Sequence, residues 1–212
     1  GYPKKTGFFE VLVDKQQRFS ITADTATIGS SIKFENSSDN VLFNHYQQFM
    51  TGKGKEINKL KDSYKTSTSK KDSAAIREKL IKLDEDIAAF RADIIKNYRG
   101  NILTALLMTM KEPALTGRLK NPKTKEDSLA SWQYYKDHFW DDVSFYDGRM
   151  AYTTFFEEKL DKYFNQIVVP HPDSVIKELD WMLGTASINS EMTRFLLIKF
   201  VNRYLNQKYM WE

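Results

Sequence analysis

Seven apolar residues, Ile76, Leu80, Leu83, Ile87, Phe90, Ile94 and Tyr98, stand at steps of four and three, alternating until the last. Such a row falls on one face only if the backbone is α-helical, where about 3.6 residues make a turn. The stripe is narrow, the seam that one helix offers to a partner helix, and Gly100 closes it. Upstream, Leu42, Tyr46 and Phe49, then Ile57, Leu60 and Tyr64, follow the same spacing. Between the two rows the stretch Lys65 to Lys71 holds only Ser, Thr and Lys. The two segments are therefore expected to fold back as an antiparallel αα-hairpin. Gly52 and Gly54 each cost about 1 kcal/mol in a helix interior. A kink or break is expected near 52–54.

Ahead of the hairpin the period changes to two. Phe8 to Val13 is rich in β-formers, Asp14 to Gln17 supply a polar turn, and Arg18 to Thr22 and Ile32 to Glu35 alternate. These segments read as strands. Two or three strands alone are marginal in water. They must lie on the helices or belong to a sheet whose other strands precede Gly1, and the second arrangement is the expectation, because the chain opens almost directly on a strand. Asn36 to Asp39 then form a loop ending in a helix cap.

Beyond Gly100, Asn101 caps a short helix, Ile102 to Met110, apolar on nearly every side and hence central. Residues 113–125 carry Pro113, Gly117 and Pro122 among Lys and Thr, an internal loop boundary. A helix from about Glu126 to Phe139 follows. The next is expected to start at Thr154, with Glu157 in capping-box position and an apolar face of Phe156, Leu160, Tyr163, Phe164 and Ile167. Pro172 opens another helix, which Gly184 ends, and Met192 to about Lys208 forms the last, expected to be the most buried. The fold class is thus mainly α: a helical bundle with an αα-hairpin and a small N-terminal antiparallel β element. Residues 1–36 form the β segment and 37–212 the helical domain.

The densest concentration of aromatic side chains is Tyr134 to Ile167, where Tyr134, Tyr135, Phe139, Trp140, Phe145, Tyr146, Tyr152, Phe155, Phe156 and Tyr163 surround Asp141, Asp142, Asp147 and Arg149. At helical spacing such rings make a core more readily than a ligand box. The turn formed by Phe139, Trp140, Asp141, Asp142, Phe145, Asp147 and Arg149 is the candidate structural or interaction element. Its Arg149 is expected to be held by Asp142 or Asp147 beneath the rings, since a guanidinium is buried cheaply only when paired.

Catalytic constellations are lacking. His45, His138 and His171 are far apart and outside any metal-ligand spacing. The acids Asp137, Asp141, Asp142 and Asp147 are the best local metal candidate. An EF-hand needs oxygens at its first, third and fifth positions with Gly sixth. Placing Gly148 sixth puts Val143 first and Phe145 third, so that motif fails. Phosphate-binding and dinucleotide fingerprints are missing as well, and no cofactor is expected. The chain has no Cys, which excludes disulfides and thiol chemistry by these residues. From Thr51 to Leu83, Lys and Arg outnumber acids, but with one Tyr and one Arg this reads as a solvated hairpin tip and not a nucleic-acid surface. No apolar run approaches a membrane span. Opening on Gly1-Tyr2-Pro3 without Met, the chain reads as a trimmed product.

The run Phe139-Trp140-Asp141-Asp142-Val143-Ser144-Phe145-Tyr146-Asp147-Gly148-Arg149, with Phe156, Leu160, Tyr163-Phe164 and His171-Pro172-Asp173-Ser174-Val175-Ile176, carries a resemblance. So do Phe9 to Asp14, Phe19-Ser20-Ile21, Ile32 to Ser37 and Asn40 to Phe43. Over roughly residues 8–205 the chain resembles the uncharacterised domain lying ahead of a thioredoxin-like domain in secreted thiol:disulfide interchange proteins of Bacteroidetes. Gly148 departs from the pattern, where Pro is expected. The resemblance implies a periplasmic or cell-envelope protein, whose redox dithiol lies in a separate C-terminal thioredoxin-like domain. That domain, or other envelope proteins, would be the partner, and no catalytic or binding residue carries over. The expected role is a non-catalytic accessory domain. The rivals are a ligand-binding domain with an aromatic pocket near 134–156, and a metal-dependent enzyme using the four aspartates.

Overall fold

The structure, a computed structural model, describes residues 9–15, 18–24, 26–27, 31–67 and 69–205. The chain divides into two compact units, Gly1–Thr104 and Ala105–Glu212. The division falls within a helix, upstream of the 113–125 loop, and the β element shares its unit with the αα-hairpin. Among the described residues the fold is mainly α with one two-stranded sheet, and no helix is long and apolar enough to cross a membrane.

In the first unit, β1 (Ser20–Thr22) pairs antiparallel with β2 (Lys33–Glu35), setting Ile21 opposite Phe34. Asn44 donates to the Ile32 carbonyl at 3.1 Å, fastening the pair to the following helix. Residues 9–13 form no strand, contrary to the reading of that segment; residue 8 lies outside the described residues. The reason is a side chain 28 positions further on. The carboxamide of buried Asn40 takes both backbone groups of Leu12, accepting from its N–H and donating to its carbonyl, each at 2.8 Å. One side chain thus does at one residue what a neighbouring strand would do along a row.

Helix α1 (Ser38–Thr66) starts at an N-cap two residues earlier than Asp39, with the Ser37 hydroxyl accepting from Asn40 N–H at 3.3 Å. Asn36 takes the left-handed turn before it, at φ 62°. The break expected near 52–54 does not occur: α1 runs unbroken for 29 residues. Helix α2 (Lys70–Asn97) supplies the reason. Phe49 stacks on Phe90 with ring centres 4.0 Å apart, and Lys53 meets Asp86 at 2.7 Å, so contacts flank the glycines and outweigh their poor propensity. The α2 seam lies as its spacing predicts. Leu83 and Ile94 are buried, Ile76, Leu80, Ile87 and Phe90 half-buried, and only Tyr98 turns outward.

Helix α3 (Ile102–Thr109) spans the division. The second unit continues with the short α4 (Gly117–Lys120), α5 (Lys125–Asp137) and a 3-10 turn (Gly148–Tyr152). Then come α6 (Thr154–Lys162) running into a π turn (Tyr163–Ile167), α7 (Pro172–Ala186) and α8 (Ser190–Tyr204). The N-cap of α6 is Thr153, not Thr154, and Glu157 pairs with Lys199 in place of a capping box. Gly184 lies inside α7, which ends two residues later.

Nor is α8 the most buried helix. Met192, Leu196 and Phe200, at steps of four, face the core. Leu197, Ile198 and Val201 are half-exposed, because they lie off the Met192–Leu196–Phe200 face that meets the core.

Candidate functional site

The aromatics of 134–164 divide into a core and a rim. Phe139, Trp140, Phe145, Phe156, Tyr163 and Phe164 are buried, whereas Tyr134, Tyr146, Tyr152 and Phe155 are exposed. Trp140 sits at the hub, its ring centre 5.2 Å from Phe139, 5.4 Å from Phe145, 6.0 Å from Phe156 and 5.2 Å from Tyr163. Edge-on and tilted contacts of this kind each contribute about 0.5–1.5 kcal/mol beyond burial. The centre of the turn is a filled core.

The cation against those rings is not the one the sequence pointed to. Arg149 is held by Asp147, Nε to Oδ1 at 2.8 Å and Nη2 to Oδ2 at 2.7 Å, in a fork that also locks the 3-10 turn through Arg149 N–H. The guanidinium holds the Asp147 carboxyl below its ordinary range, against the opposing pull of burial. Lys159 is the ammonium under the aromatics, with Nζ 4.7 Å from the Phe139 ring centre and 5.9 Å from that of Trp140. It donates to the Lys111 carbonyl. Burial lowers its pKa to about 8, with the Glu112 and Asp142 carboxylates acting the other way and Lys162 adding to the decrease.

The four aspartates do not converge. Asp137 accepts from Gln133 at 2.8 Å, Asp141 meets His138 at 2.6 Å, Asp142 meets Lys111 at 3.2 Å, and Asp147 holds Arg149. No group of three or more His, Asp or Glu among the described residues is placed to hold a metal ion. A small hollow of about 260 Å³ has Glu112, Asp141 and Asp142 among its lining residues. There Glu112 is already engaged by Lys162 and Tyr135.

A larger opening lies on the outer side of the Trp140 hub. It is a groove of about 450 Å³, walled by α5, the 140–145 turn, Tyr163 and α7. At its base Glu178, 8% exposed, accepts from the Tyr163 hydroxyl and meets Lys136 Nζ, both at 2.7 Å. Burial and then the Glu178 carboxylate drive the Tyr163 pKa far up, so the phenol keeps its proton. Trp140 Nε1 is near enough to the Tyr163 hydroxyl to act on it, yet makes no hydrogen bond, and it finds no acceptor among the described residues. Trp181, 45% exposed, stands at the mouth and packs edge-on against Phe145 at 5.7 Å.

Of the site residues read from sequence, Trp140, Asp141 and Phe145 line this groove; Phe139, Asp142, Asp147 and Arg149 do not. Sequence reading missed Lys159, Tyr163 as a hydrogen-bonding group, Glu178 and Trp181. A signal for two of them was present. Lys159 falls three residues after Phe156 and four before Tyr163, and Glu178 three after Val175 and four before Met182. Each is a charge set within an apolar stripe.

Fold and site together define a mainly-α protein whose second unit carries a solid aromatic core and an open groove beside it. A domain matching the family model described as Domain of unknown function (DUF5106) lies at residues 108–210. No curated protein and no solved structure matches the chain.

Proposed function

We propose that this chain is a non-catalytic interaction module, with the groove between α5 and α7 as its binding surface. The observation that carries the reading is the contrast between two sets of side chains. The acids that would be needed for hydrolysis or metal chemistry are each tied to a separate partner. The aromatic and polar groups around Trp140 and Trp181 instead converge on an open space large enough for a small ligand or a peptide segment. That geometry unites the accessory-domain reading with its ligand-binding rival: the rings fill a core, and the groove lies on its flank.

The accessory role is the finer part of the proposal. In it, the module positions or selects partners for a thioredoxin-like thiol:disulfide interchange domain in the periplasm or cell envelope. Its support is the resemblance carried by residues 139–149 and 171–176, which fall within the stretch matching the domain of unknown function. Reading the gene beyond the codon for Glu212 tests it: a Cys-x-x-Cys strand-helix unit in frame is expected, and a frame without one overturns the redox association. In a second test, the chain is assayed alone for disulfide reduction and for hydrolysis of ester and glycoside reporters. Inactivity is the expected result, and turnover abolished by Asp141→Asn or Glu178→Gln overturns the non-catalytic reading.

A further inference from the structure

We propose that the groove binds a neutral saccharide, one pyranose ring stacked on the indole of Trp181 and its hydroxyls read by the polar side chains around it. This inference rests on the groove being the binding surface and names its ligand class. Three observations carry it.

The first is charge balance. Lys136 is paired with Glu178 at 2.7 Å, Asp137 accepts from Gln133 at 2.8 Å, and Asp141 is paired with His138 at 2.6 Å. The charges lining the groove are of both signs, Lys136 and Lys177 against Asp137, Asp141 and Glu178, so neither an anion nor a cation meets a wall of the opposite sign, and a neutral ligand is the better match.

The second is the mixture of chemistry in one small space. Trp181 presents a half-exposed flat apolar face, while Gln133, Thr185, Lys136 and the Asp137 carboxylate offer donors and acceptors around it. A sugar ring has the matching duality: C–H groups on its faces and hydroxyls, each both donor and acceptor, around its edge.

The third concerns the walls. They are helices and turns, with no strand edge among the lining residues, so an extended peptide has no row of backbone groups to pair with. Nor is the lining apolar enough to hold one face of an amphipathic helix.

The test uses the full chain and four neutral probes: cellotetraose, maltotetraose, xylotetraose and tetra-N-acetylchitotetraose. Calorimetric titration up to about 10 mM covers the range of a weak saccharide site. Binding of at least one probe is expected, weakened about tenfold or more in Trp181→Ala, in line with the loss of one aromatic platform. Tyr152→Ala, which removes an exposed ring outside the groove, is expected to bind as the unaltered chain does. An unchanged thermal melt for Trp181→Ala shows that the loss is not one of folding. No binding by any probe, or binding that survives Trp181→Ala, overturns the saccharide assignment. If instead an unstructured decapeptide of Gly, Ser and Leu binds and Trp181→Ala abolishes that binding, the groove remains the binding surface and only the ligand class is wrong. If neither sugar nor peptide binds, both readings fall.

Discussion

The ammonium of Lys159 lies 4.7 Å from the centre of the Phe139 ring, and its hydrogen bond goes to the Lys111 carbonyl rather than to a carboxylate. A cation seated against rings with no carboxylate in hydrogen-bond contact is held by ring quadrupole, backbone dipole and only the more distant Glu112 and Asp142 charges. Its burial therefore costs more than that of a paired charge.

That cost has a pH signature. The folded-state pKa of Lys159, about 8, lies below the ordinary 10.5, so the folded state sheds this proton first. Below the folded value both states are protonated and the full penalty applies. As pH rises from 8 towards 10.5 the unfolded chain binds more protons, and stability from this group increases. Lys159→Met is expected to lack that increase. In urea denaturation the stability difference, wild type minus variant, should grow by about 1–2 kcal/mol between pH 7 and 10. Parallel pH profiles for the two proteins would show that Lys159 is not buried as described.

Arg149→Met removes the fork to Asp147 and is expected to lower stability at pH 7 by about 1–2 kcal/mol, some 2–4 °C in melting temperature per kcal/mol. The Asp147 pKa is depressed, so its contribution is present above the ordinary value of 3.8 and is lost as pH falls through the lower folded value. The gap between wild type and variant should therefore close in strong acid. An unchanged melt with lost partner binding would assign the turn to recognition.

The packing against Gly148 accounts for a residue without Cβ at this position. A Cβ there would lie 2.9 Å from Asn189 Oδ1, the atom that accepts from Met192 N–H and caps α8. Asn189 also donates to the Tyr146 carbonyl at 3.0 Å, so it is held from two sides. Gly148→Ala is expected to dislodge the cap and cost about 1 kcal/mol. Chemical denaturation checks this, and loss of amide protection at Met192 locates it; a neutral result would mean that the Asn189 side chain simply swings away.

In the first unit, Asn40→Asp keeps an acceptor for Leu12 N–H but loses the donor to the Leu12 carbonyl. A cost of about 1–3 kcal/mol is expected from the carbonyl facing a carboxylate at a buried position. Faster hydrogen exchange at Leu12 should accompany it. Retained stability with unchanged exchange would remove Asn40 from its role as anchor of the N-terminal segment.

Much of the secondary structure could be read directly. The α2 seam from Ile76 to Ile94 and the α6 face from Phe156 to Ile167 fall inward as their spacing requires. Errors arose where a distant residue decided a local question. Gly52 and Gly54 argue for a break, and Phe90 and Asp86, more than thirty positions away, overrule them. Residues 9–13 argue for a strand, and Asn40 intervenes. For the site, the aromatic-rich turn and the Asp147–Arg149 pair were visible, but the partners of the other acids were not. Asp142 finds Lys111 and Tyr163 finds Glu178, and sequence distance carries no information about such meetings.

From the amino-acid order alone come the helical class, the hairpin, the lack of thiol chemistry and the concentration of rings at 134–164. Each depends on periodicity or composition, which short-range sterics and apolar burial convert into structure without reference to remote partners. Only the folded chain decided which cation lies against the rings, which acids are neutralised, and that the filled core has a groove beside it. Those outcomes depend on which side chains end up within a few ångströms of one another, and Coulomb and hydrogen-bond energies fall off too steeply for anything but tertiary packing to settle them.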